Sequence, residues 1–469
     1  MDIRTKIVAT VGPASCDPAV LSEMVRAGAD VFRINFSHGD EASRAQALAD
    51  IRQVEQQAGE PLGIMADLCG PKIRVGKIDG DSCQLRRGSR VVIQREPLAG
   101  NSEAISTTLA ELIDNVDVDQ TLLLDQGAIR LCVRELDRPD RVVCEVTQGG
   151  VLASGKGVHL PETELKLPAL TEKDRRDLEW IGRQDFDFVA LSFVQRAGDI
   201  EELRLLLDAD VSVVAKIEKP QALAQIERIV AVSDVIMVAR GDLGVEMPLQ
   251  QIPLAQKRLV RLCAESGRPC IVATQMLESM THSPVPTRAE AADIANAVLD
   301  GADAMMLSGE TAIGSFPVKA VATMNDIAAA AEAHEAAHPS PVPVESQTSP
   351  TSAALAAAAR TVIERESIAA AAAFTGTGMT AALLSKQRLP VPLLAMSQSR
   401  RVVRQMSLLF GVQAVMEPAP EHTREILATA ERHLKAKGLA KAGDKVVVLS
   451  GRPIGQAGAT NTLVVHTVT

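Results

Sequence analysis

Hydrophobic residues fall in short, nearly continuous runs along the chain, and each run is followed by a segment with helical spacing. Eight such runs occur on either side of one long interruption: KIVATVG, DVFRINFS, PLGIMADL, FDFVALSF, VSVVAKIE, DVIMVARG, CIVATQML and DAMMLSGE. A strand that is buried on both faces of a parallel sheet has this uninterrupted apolar pattern. Eight strand–helix units predict an α/β fold, a (β/α)8 barrel of the TIM type.

The segments between the runs begin and end with helix-capping residues. DPAVLSEMVRAG starts at an aspartate and closes on a glycine, and LTEKDRRDLEWIG starts at a threonine and closes on Gly182. Aspartate and threonine cap helix N-termini, whereas glycine commonly follows the last helical turn. These signals predict a helix after each strand.

A long interruption separates the third run from its helix. Residues 70–168 contain β-rich segments with glycine and aspartate between them: SRVVIQRE, TLLLDQGAIRLCVREL and RVVCEVTQGGVL. They predict a small β-barrel domain that is inserted in the loop after the third strand. Because active sites of (β/α)8 barrels form at the C-terminal ends of the strands, such an insertion is well placed to act as a lid.

The other domain boundaries follow from local composition. The barrel is predicted to comprise residues 1–69 and 169–338, and the proline- and serine-rich residues 339–351 indicate a linker. Beyond the linker, apolar runs and helical segments alternate again. This pattern predicts a C-terminal open α/β domain over residues 352–469.

Charge and composition exclude several classes of function. The net charge of −10 argues against a protein that binds nucleic acid or a membrane surface, because both need a positive face. Aromatic residues make up 2% of the chain and tyrosine is absent, which disfavours base stacking. The seven cysteines include no CxxC pair, and the sequence has neither a signal-peptide pattern nor a bilayer-spanning apolar run. A cytoplasmic protein with free thiols is therefore expected.

Polar residues stand at the ends of most of the predicted strands. They are Arg33, Asn35 and Ser37 on the second strand, Asp67 on the third, Lys216 and Glu218 on the fifth, Asp242 after the sixth, Thr274 on the seventh, and Ser308 on the eighth. Any one of the charged residues is more often part of a structural ion pair than a catalyst. Buried charges are nevertheless costly unless they are paired or bind a metal, so the set as a whole indicates an active site at this rim.

Four of these residues suggest the chemistry. Glu218 and Asp242 offer hard oxygen ligands with no histidine or cysteine beside them, which favours Mg²⁺ or Mn²⁺ over zinc. Arg33 and Lys216 add two cations; a guanidinium suits a phosphate, and a point-like ammonium suits a phosphoryl group in transit. A divalent metal with these cations predicts phosphoryl transfer.

Seven motifs occur in order at the strand ends: INFSHG, GPKIRVG, AKIEKP, VARGDLGVE, ATQMLESM, PTRAE and LSGETA. Together they closely resemble the motifs of the pyruvate kinase family, and the resemblance covers essentially the whole chain. It implies transfer of the phosphoryl group of phosphoenolpyruvate to ADP, which gives pyruvate and ATP. It also implies a homotetramer.

The resemblance further implies roles for individual residues. Glu218 and Asp242 match the ligands of the divalent metal, Lys216 matches the cation that stabilises the phosphoryl group in flight, and Arg33 matches a phosphate clamp. The remaining matches are the substrate-carboxylate contacts Gly241, Asp242 and Thr274, the enolate-protonation relay Thr274 and Ser308, and the nucleotide-side contacts Asn35, His38, Arg74 and Lys156.

Some of these assignments have a simpler alternative. Ser308 is about as well explained as a cap at a strand–helix junction, and His38 as a residue that only holds a loop. Arg240, beside the metal-ligand loop, is expected to tie that loop down and not to touch substrate.

One stretch, ADLCGPKIRVG, departs from the usual family pattern. The residues that match the family's K⁺ cage are Asn35, Ser37, Asp67 and the carbonyl of Leu68. However, Leu68 stands where K⁺-requiring members have threonine, and Lys72 stands where they have glutamate.

These two changes together resemble the K⁺-independent group of the family. A lysine ammonium is a compact positive charge on a flexible stem, so Lys72 near Asp67 could replace the monovalent ion. We therefore predict activity without added K⁺ or Na⁺. The alternative is that Lys72 is a solvated loop residue and that Asp67 still holds a cation.

The C-terminal domain carries a candidate regulatory site. FTGTGMTAALLS places Thr375, Thr377 and Thr380 between a predicted strand and helix, where amides and hydroxyls can bind phosphate. The position resembles the family's site for sugar-phosphate effectors, and SGRPIGQAGATNT resembles the loop that closes over such an effector. A glycine- and threonine-rich turn without a ligand is the alternative.

Two other functions remain open at this point. A Mg²⁺-dependent lyase or aldolase acting on pyruvate-like enolates would share the metal carboxylates, but it would not need Lys216 beside Glu218 or Lys156 in a lid. A non-catalytic effector-binding relative is the second alternative. The intact Lys216, Glu218, Asp242 and Thr274 argue against it.

Overall fold

A computed structural model describes residues 3–163, 167–337, 344, 349–420, 422–451 and 460–469. The first three strands are β1 (Lys6–Val11), β2 (Val31–Asn35) and β3 (Gly63–Asp67). They lie side by side in parallel, and the end of β2 pairs with the end of β3 through Asn35 and Asp67. The polar residues that close these two strands are therefore neighbours at one rim.

The insertion follows β3. Its strands are β4 (Ser82–Leu85), β5 (Arg90–Gln94), β6 (Ala104–Ser106), β7 (Thr121–Leu124), β8 (Ile129–Asp137), β9 (Arg141–Gln148), β10 (Gly150–Ala153) and β11 (Val158–His159). Within the described residues they form a six-stranded sheet in the order β11-β7-β8-β9-β5-β6 and a two-stranded β10-β4 sheet. Residues 74 and 75 pair with positions next to both edge strands of the larger sheet, through the bridges Arg74–Gly157 and Val75–Thr107, which agrees with the expected small β-barrel. The insertion has its own apolar core.

The barrel resumes after the insertion with β12 (Phe188–Leu191), β13 (Ser212–Ile217), β14 (Val235–Ala239), β15 (Cys270–Ala273) and β16 (Ala304–Leu307). These strands and the first three close a barrel in the order β1-β16-β15-β14-β13-β12-β3-β2. All eight predicted runs are confirmed as barrel strands. The (β/α)8 fold was predictable because each strand is buried on both faces and so lacks polar positions until its end.

Helices alternate with the barrel strands, and one short helix lies in the insertion. They are α1 (Pro18–Arg26) and α2 (Glu41–Ala58) before the insertion, the short α3 (Leu112–Asn115) inside it, and α4 (Glu172–Ile181), α5 (Ala197–Arg204), α6 (Pro220–Ala224), α7 (Ile226–Val232), α8 (Arg240–Glu246), α9 (Ile252–Glu265), α10 (Arg288–Leu299), α11 (Gly309–Ala312) and α12 (Pro317–Ala337) after it. The predicted caps are confirmed: Asp17 accepts from the amide of Ala19, and Thr171 accepts from that of Asp174.

The C-terminal part is the predicted open α/β domain. Its elements are α13 (Pro350–Arg365), β17 (Ile368–Phe374), α14 (Met379–Lys386), β18 (Leu393–Ser397), α15 (Arg400–Gln405), β19 (Val412–Met416), α16 (Thr423–Ala436), β20 (Lys445–Gly451) and β21 (Thr460–Thr467). The sheet order is β19-β18-β17-β20-β21, with β21 antiparallel. Of the predicted linker at 339–351, residues 339–343 and 345–348 lie outside the described residues.

The C-terminal domain contacts the barrel at the end opposite the rim of polar residues. Leu408, in the turn after α15, packs inside the barrel among residues such as Val8 and Phe188. Beside it, Arg404 forms two 2.7 Å hydrogen bonds with the carboxylate of Glu55. The C-terminal domain therefore contacts the barrel away from the rim that carries the candidate site, whereas the insertion leaves the barrel at that rim.

All seven cysteines are free thiols, as predicted. Within the described ranges, no helix has both the length and the hydrophobicity needed to cross a bilayer.

Candidate active site

Lys216, on β13, lies at the centre of the polar rim. Its Nζ is 3.1 Å from Oδ1 of Asp67 and 2.9 Å from Oε1 of Glu218. It also donates to Oγ of Ser192 over 2.7 Å. The ammonium is therefore held by two carboxylates and a hydroxyl at the C-terminal end of the barrel.

Arg33 completes this buried cluster from β2. Its Nε donates to Oδ2 of Asp67 over 2.6 Å, and its Nη1 donates to Oγ1 of Thr10 over 3.0 Å. Asp67 is only 1% exposed, so its carboxylate needs both cations to offset the loss of solvation. One carboxylate thus orients the two cations that sequence analysis assigned to phosphate binding.

The pKa values of the cluster reflect burial and these neighbours. Burial raises the pKa of Asp67, but the charges of Lys216 and Arg33 outweigh it and hold that pKa below its usual value. Burial lowers the pKa of Lys216, but Asp67 and Glu218 outweigh it and raise that pKa. Lys216 is therefore a permanent cation at neutral pH.

Glu218 and Asp242 are two carboxylates whose charges repel each other. Burial and the nearby charge of Asp242 raise the pKa of Glu218, whereas Lys216 lowers it. The two carboxylates are thus close enough to repel each other, and a divalent cation bound by them would relieve that repulsion. Among the described residues, no cluster of three or more His, Cys, Asp or Glu side chains could hold a metal ion. A carboxylate pair is nevertheless enough for Mg²⁺, which usually keeps water and substrate oxygens as its other ligands.

The main chain fixes Glu218. The N–H of Phe193 donates to Oε2 of Glu218 over 2.8 Å, and Phe193 holds a left-handed backbone conformation with φ of +57°. Such a conformation is unfavourable for a residue with a side chain and is often found at functional sites.

Thr274 stands where β15 ends, close to the start of α8. Its Oγ1 accepts a hydrogen bond from the N–H of Gly241 over 2.6 Å and donates to the carbonyl of Ala273. A side chain at position 241 would bring its Cβ to 3.3 Å from that hydroxyl, so glycine permits this approach. Thr274 also has a positive φ of +72°.

Arg240 links the start of α8 to the loop after β15, as expected from the sequence. Its Nη2 donates to the carbonyl of Thr274 over 2.8 Å, and its Nη1 forms an ion pair with Asp293. It therefore holds the loop that carries Gly241 and Asp242.

Ser308 directly follows β16 on the same rim. Its N–H donates to Oε2 of Glu310 over 2.7 Å, and Oε1 of Glu310 accepts from the N–H of Leu277 over 3.1 Å. The buried Glu310 thus fixes Ser308 relative to the loop after β15.

Lys72 differs from its expected position. Its Nζ lies 3.6 Å from Oδ1 of Asp242, and the cations that contact Asp67 are Arg33 and Lys216 instead. Gly70 has a φ of +66°, and the chain turns there into the insertion, which carries Lys72 towards α8. The carbonyl of Leu68 accepts from Oγ of Ser192 over 2.8 Å.

Of the residues assigned to the nucleotide, two lie on the barrel and two on the insertion. On the barrel side, Asn35 Oδ1 accepts from the N–H of Ser37, and the exposed His38 follows. On the insertion side, Arg74 donates to the carbonyl of Gly155 over 3.0 Å, and Lys156 pairs with Asp125 over 2.9 Å.

The candidate effector residues surround the start of α14. Thr375 is buried and its Oγ1 accepts from the N–H of Gly378 over 2.9 Å, while Thr377 is exposed. Thr380 Oγ1 lies 2.5 Å from Oγ1 of Thr460. Of the predicted closing loop, residues 452–459 lie outside the described residues.

Sequence reasoning missed three members of the site: Thr10, Ser192 and Phe193. Each lies at or just beyond the end of β1 or β12, for which the sequence analysis predicts no site residue. The rule that revealed Lys216 and Asp67 would have found Thr10 and Ser192. Nothing in the sequence marks Phe193, because it acts through its main-chain N–H.

Comparison with known proteins supports one family throughout the chain. Residues 3–321 match the family described as pyruvate kinase, barrel domain, and residues 353–466 match pyruvate kinase, alpha/beta domain. The chain is similar to a pyruvate kinase of Methylorubrum extorquens, with 42% identity over 99% of this chain and 98% of that protein. It is also 42% identical to a pyruvate kinase of Geobacillus stearothermophilus, over 100% of this chain and 81% of the relative.

A solved structure agrees with these sequence matches. The crystal structure of a pyruvate kinase from Cryptosporidium parvum superposes with a TM-score of 0.91 at 32% sequence identity. The match covers 100% of this chain and 97% of that structure, so it includes the barrel, the insertion and the C-terminal domain.

Proposed function

The chain belongs to the pyruvate kinase family and is a phosphotransferase, and on this premise we propose a residue-level account of its reaction. In that reaction the phosphoryl group of phosphoenolpyruvate is transferred to ADP, giving pyruvate and ATP. The observation that carries the account is the position of Lys216 between Asp67 and Glu218. A fixed, buried ammonium is suited to stabilise charge on a phosphoryl group in transit.

Arg33 and Lys216 bind the phosphate of phosphoenolpyruvate in this proposal. Asp67 supports both, because it holds the guanidinium and the ammonium on one buried carboxylate. The groups need no reorganisation when negative charge moves from the enol oxygen to the transferred phosphoryl oxygens, and such preorganisation lowers the barrier.

Glu218 and Asp242 would hold Mg²⁺, or Mn²⁺ in its place. The mutual repulsion of these carboxylates and their hard oxygen atoms fit such an ion. When bound, the ion supplies positive charge to the substrate's oxygens. The amides of Gly241 and Asp242, together with Thr274, would bind the substrate carboxylate.

Loss of the phosphoryl group leaves an enolate. The bond from phosphorus to the enol oxygen breaks and a bond to a β-phosphate oxygen of ADP forms, so the enolate must then gain a proton on carbon. Thr274 and Ser308 are proposed as the hydroxyl relay for that proton, and both lie at the same rim. Asn35, His38, Arg74 and Lys156 are proposed as contacts for the nucleotide.

We propose that the enzyme does not require K⁺. The supporting observation is the Lys72 ammonium 3.6 Å from Asp242, because it brings a tethered positive charge to the rim. The Asp67 carboxylate has two cationic partners of its own, so it has no unmet need for a monovalent ion.

The C-terminal domain is proposed to bind a sugar phosphate, with Thr375, Thr377 and Thr380 at its phosphate. Their position at the start of α14 supports this, since helix N-termini favour anions. A homotetramer is also proposed. Large apolar side chains next to and on α9, Leu249 and Leu254, are 78% and 67% exposed, and an interface between subunits would cover them.

A coupled assay tests the activity directly. Phosphoenolpyruvate, ADP and Mg²⁺ are supplied to the purified enzyme, the pyruvate formed is measured as the NADH that lactate dehydrogenase consumes in reducing it, and ATP is measured independently. Equal amounts of pyruvate and ATP are expected. If pyruvate forms without ATP, the proposed acceptor is wrong, and if neither forms, the whole account of the site is wrong.

A further inference from the structure

Helix α8 contacts both segments that join the insertion to the barrel. Asp242 and Glu246 are four residues apart on α8 and therefore share one face of the helix. Asp242 pairs with Lys72, in the segment that leaves the barrel, and Glu246 contacts His159, in the segment that returns. The two segments also pair with each other, through an antiparallel bridge between Arg74 and Gly157.

Glu246 is the more deeply buried of the two carboxylates. Its side chain is 1% exposed, and its Oε1 lies 3.4 Å from Nδ1 of His159, itself 5% exposed. Lys219 donates to the same oxygen. A carboxylate is rarely so buried unless it has partners, and His159 and Lys219 offset the cost of burying this one.

The cluster connects to the proposed metal site from a second direction. Lys219 follows the proposed metal ligand Glu218 directly, and its Nζ lies 5.7 Å above the ring of Phe193. The N–H of Phe193 in turn binds Glu218. Glu246 thus joins three parts of the molecule: the last strand of the insertion, the loop after β13, and the helix that carries Asp242.

We propose that Glu246 is a positioning residue that fixes the insertion over the active site through His159 and Lys219. It does not touch substrate; it holds the returning segment against α8 and so sets where Lys156 meets the nucleotide. The cleft beside it is lined by Lys72, His159, Phe193 and Lys219, so a change in the cluster moves the walls of the cleft. This inference rests on the proposed nucleotide role of the insertion.

Glu246→Gln tests the proposal, because it keeps the shape of the side chain and removes its charge. Hydrogen–deuterium exchange of the full-length enzyme without substrates is measured for peptides covering residues 70–76, 156–162 and 240–246. Exchange in all three is expected to accelerate about threefold or more, since their shared contact is weakened. Unchanged exchange in the two joining segments would overturn the proposal.

Glu332→Gln is the matched control. Glu332 lies on α12 and accepts from the amides of Arg4 and Thr5, remote in sequence from the insertion and α8. It should leave exchange in the three peptides unchanged. If this control accelerates them equally, the effect is a general loss of stability and the proposal fails.

Steady-state kinetics separates positioning from a general structural role. Glu246→Gln is expected to raise the KM for ADP by about fivefold to tenfold with kcat within about twofold, because uniform nucleotide binding is lost. A fall in kcat with KM unchanged would contradict the proposal. If exchange accelerates but neither the KM for ADP nor kcat changes, Glu246 still holds the insertion in place, and the proposed nucleotide role of the insertion is wrong.

A second variant keeps the proposal testable if Glu246→Gln does not fold. His159→Gln alters only the insertion's side of the contact and places a neutral hydrogen-bonding group there. It should accelerate exchange in the same three peptides, to a smaller extent than Glu246→Gln. Should it leave them unchanged, His159 is not the link and the proposal is wrong.

Discussion

Lys216 and Asp67 form a buried ion pair, with Nζ 3.1 Å from Oδ1, at the C-terminal end of the barrel. The same carboxylate holds Arg33 through its other oxygen. The side chains of Arg33 and Lys216 are thus positioned by one carboxylate, although the two residues are far apart in the sequence. The proposed phosphoryl transfer depends on this relationship.

Replacing the ammonium tests the central role. Lys216→Met should lower kcat by about 10³-fold, since a preorganised charge is lost at the group in transfer. Metal binding should persist, because Glu218 and Asp242 remain; Mn²⁺ binding followed by electron paramagnetic resonance checks this. Lys257→Met, on α9 away from the rim, serves as the control and should keep full activity. Full activity of Lys216→Met would show that its assigned role is wrong.

Removing one carboxylate charge tests the metal assignment. Asp242→Asn should weaken Mn²⁺ binding by at least about tenfold, measured as free Mn²⁺ in a titration of the enzyme without substrates. The Mg²⁺ concentration needed for half-maximal activity should rise in parallel. Unaltered affinity in both measurements would exclude Asp242 as a ligand.

The monovalent-ion proposal is tested in tetramethylammonium buffer with and without K⁺. The enzyme should be active in both, with rates within about twofold. Lys72→Glu should lose activity without K⁺ and regain part of it when K⁺ is added, because the tethered charge is gone. Lys77→Glu, which changes an exposed lysine five positions further along the chain, should behave like the unaltered enzyme. A strong K⁺ requirement of the unaltered enzyme would refute the tethered-cation interpretation.

The proposed effector site leads to a separate prediction. A panel of sugar monophosphates and bisphosphates should include at least one that lowers the half-saturating phosphoenolpyruvate concentration several-fold. Thr377→Glu should abolish that response without altering the basal rate, because a carboxylate repels phosphate near the start of α14. Thr361→Glu, an exposed position on α13, should retain it. An equal response in both variants would place the effector elsewhere.

Asp187 gives the chain a predictable dependence of stability on pH. It is fully buried before β12, and burial raises its pKa from 3.8 to about 6, although Arg52 opposes the shift. Because the folded-state pKa lies above the unfolded value, its stabilising contribution is complete below about pH 4 and is lost as pH rises through about 6. The change in the free energy of unfolding that comes from this titration is at most about 3 kcal/mol.

Asp187→Asn removes this titration while keeping an oxygen for Arg52. The thermal midpoint of the variant relative to the unaltered protein should therefore improve by a few degrees between pH 4.5 and pH 7. Asp137→Asn, an exposed carboxylate of the insertion, is the control and should show no such trend. A relative midpoint that falls with rising pH would reverse the assigned sign.

The sequence determined the barrel, the insertion point and most of the rim. The eight apolar runs could form only strands covered on both faces, and charged residues at their ends could be tolerated only where the strands meet a common rim. Lys216, Glu218, Asp242 and Asp67 were found in this way. These conclusions needed only local pattern and the geometry that every parallel barrel shares.

Contacts between distant segments were decided by the tertiary structure. The sequence suggested Lys72 as the partner of Asp67, but the turn at Gly70 carries Lys72 to Asp242, and Asp67 binds Arg33 and Lys216 instead. His159, Lys219 and Glu246 have no shared motif and meet only because the insertion folds back onto α8. Periodicity gives the face on which a side chain lies, whereas an ion pair depends on where the chain between its partners turns.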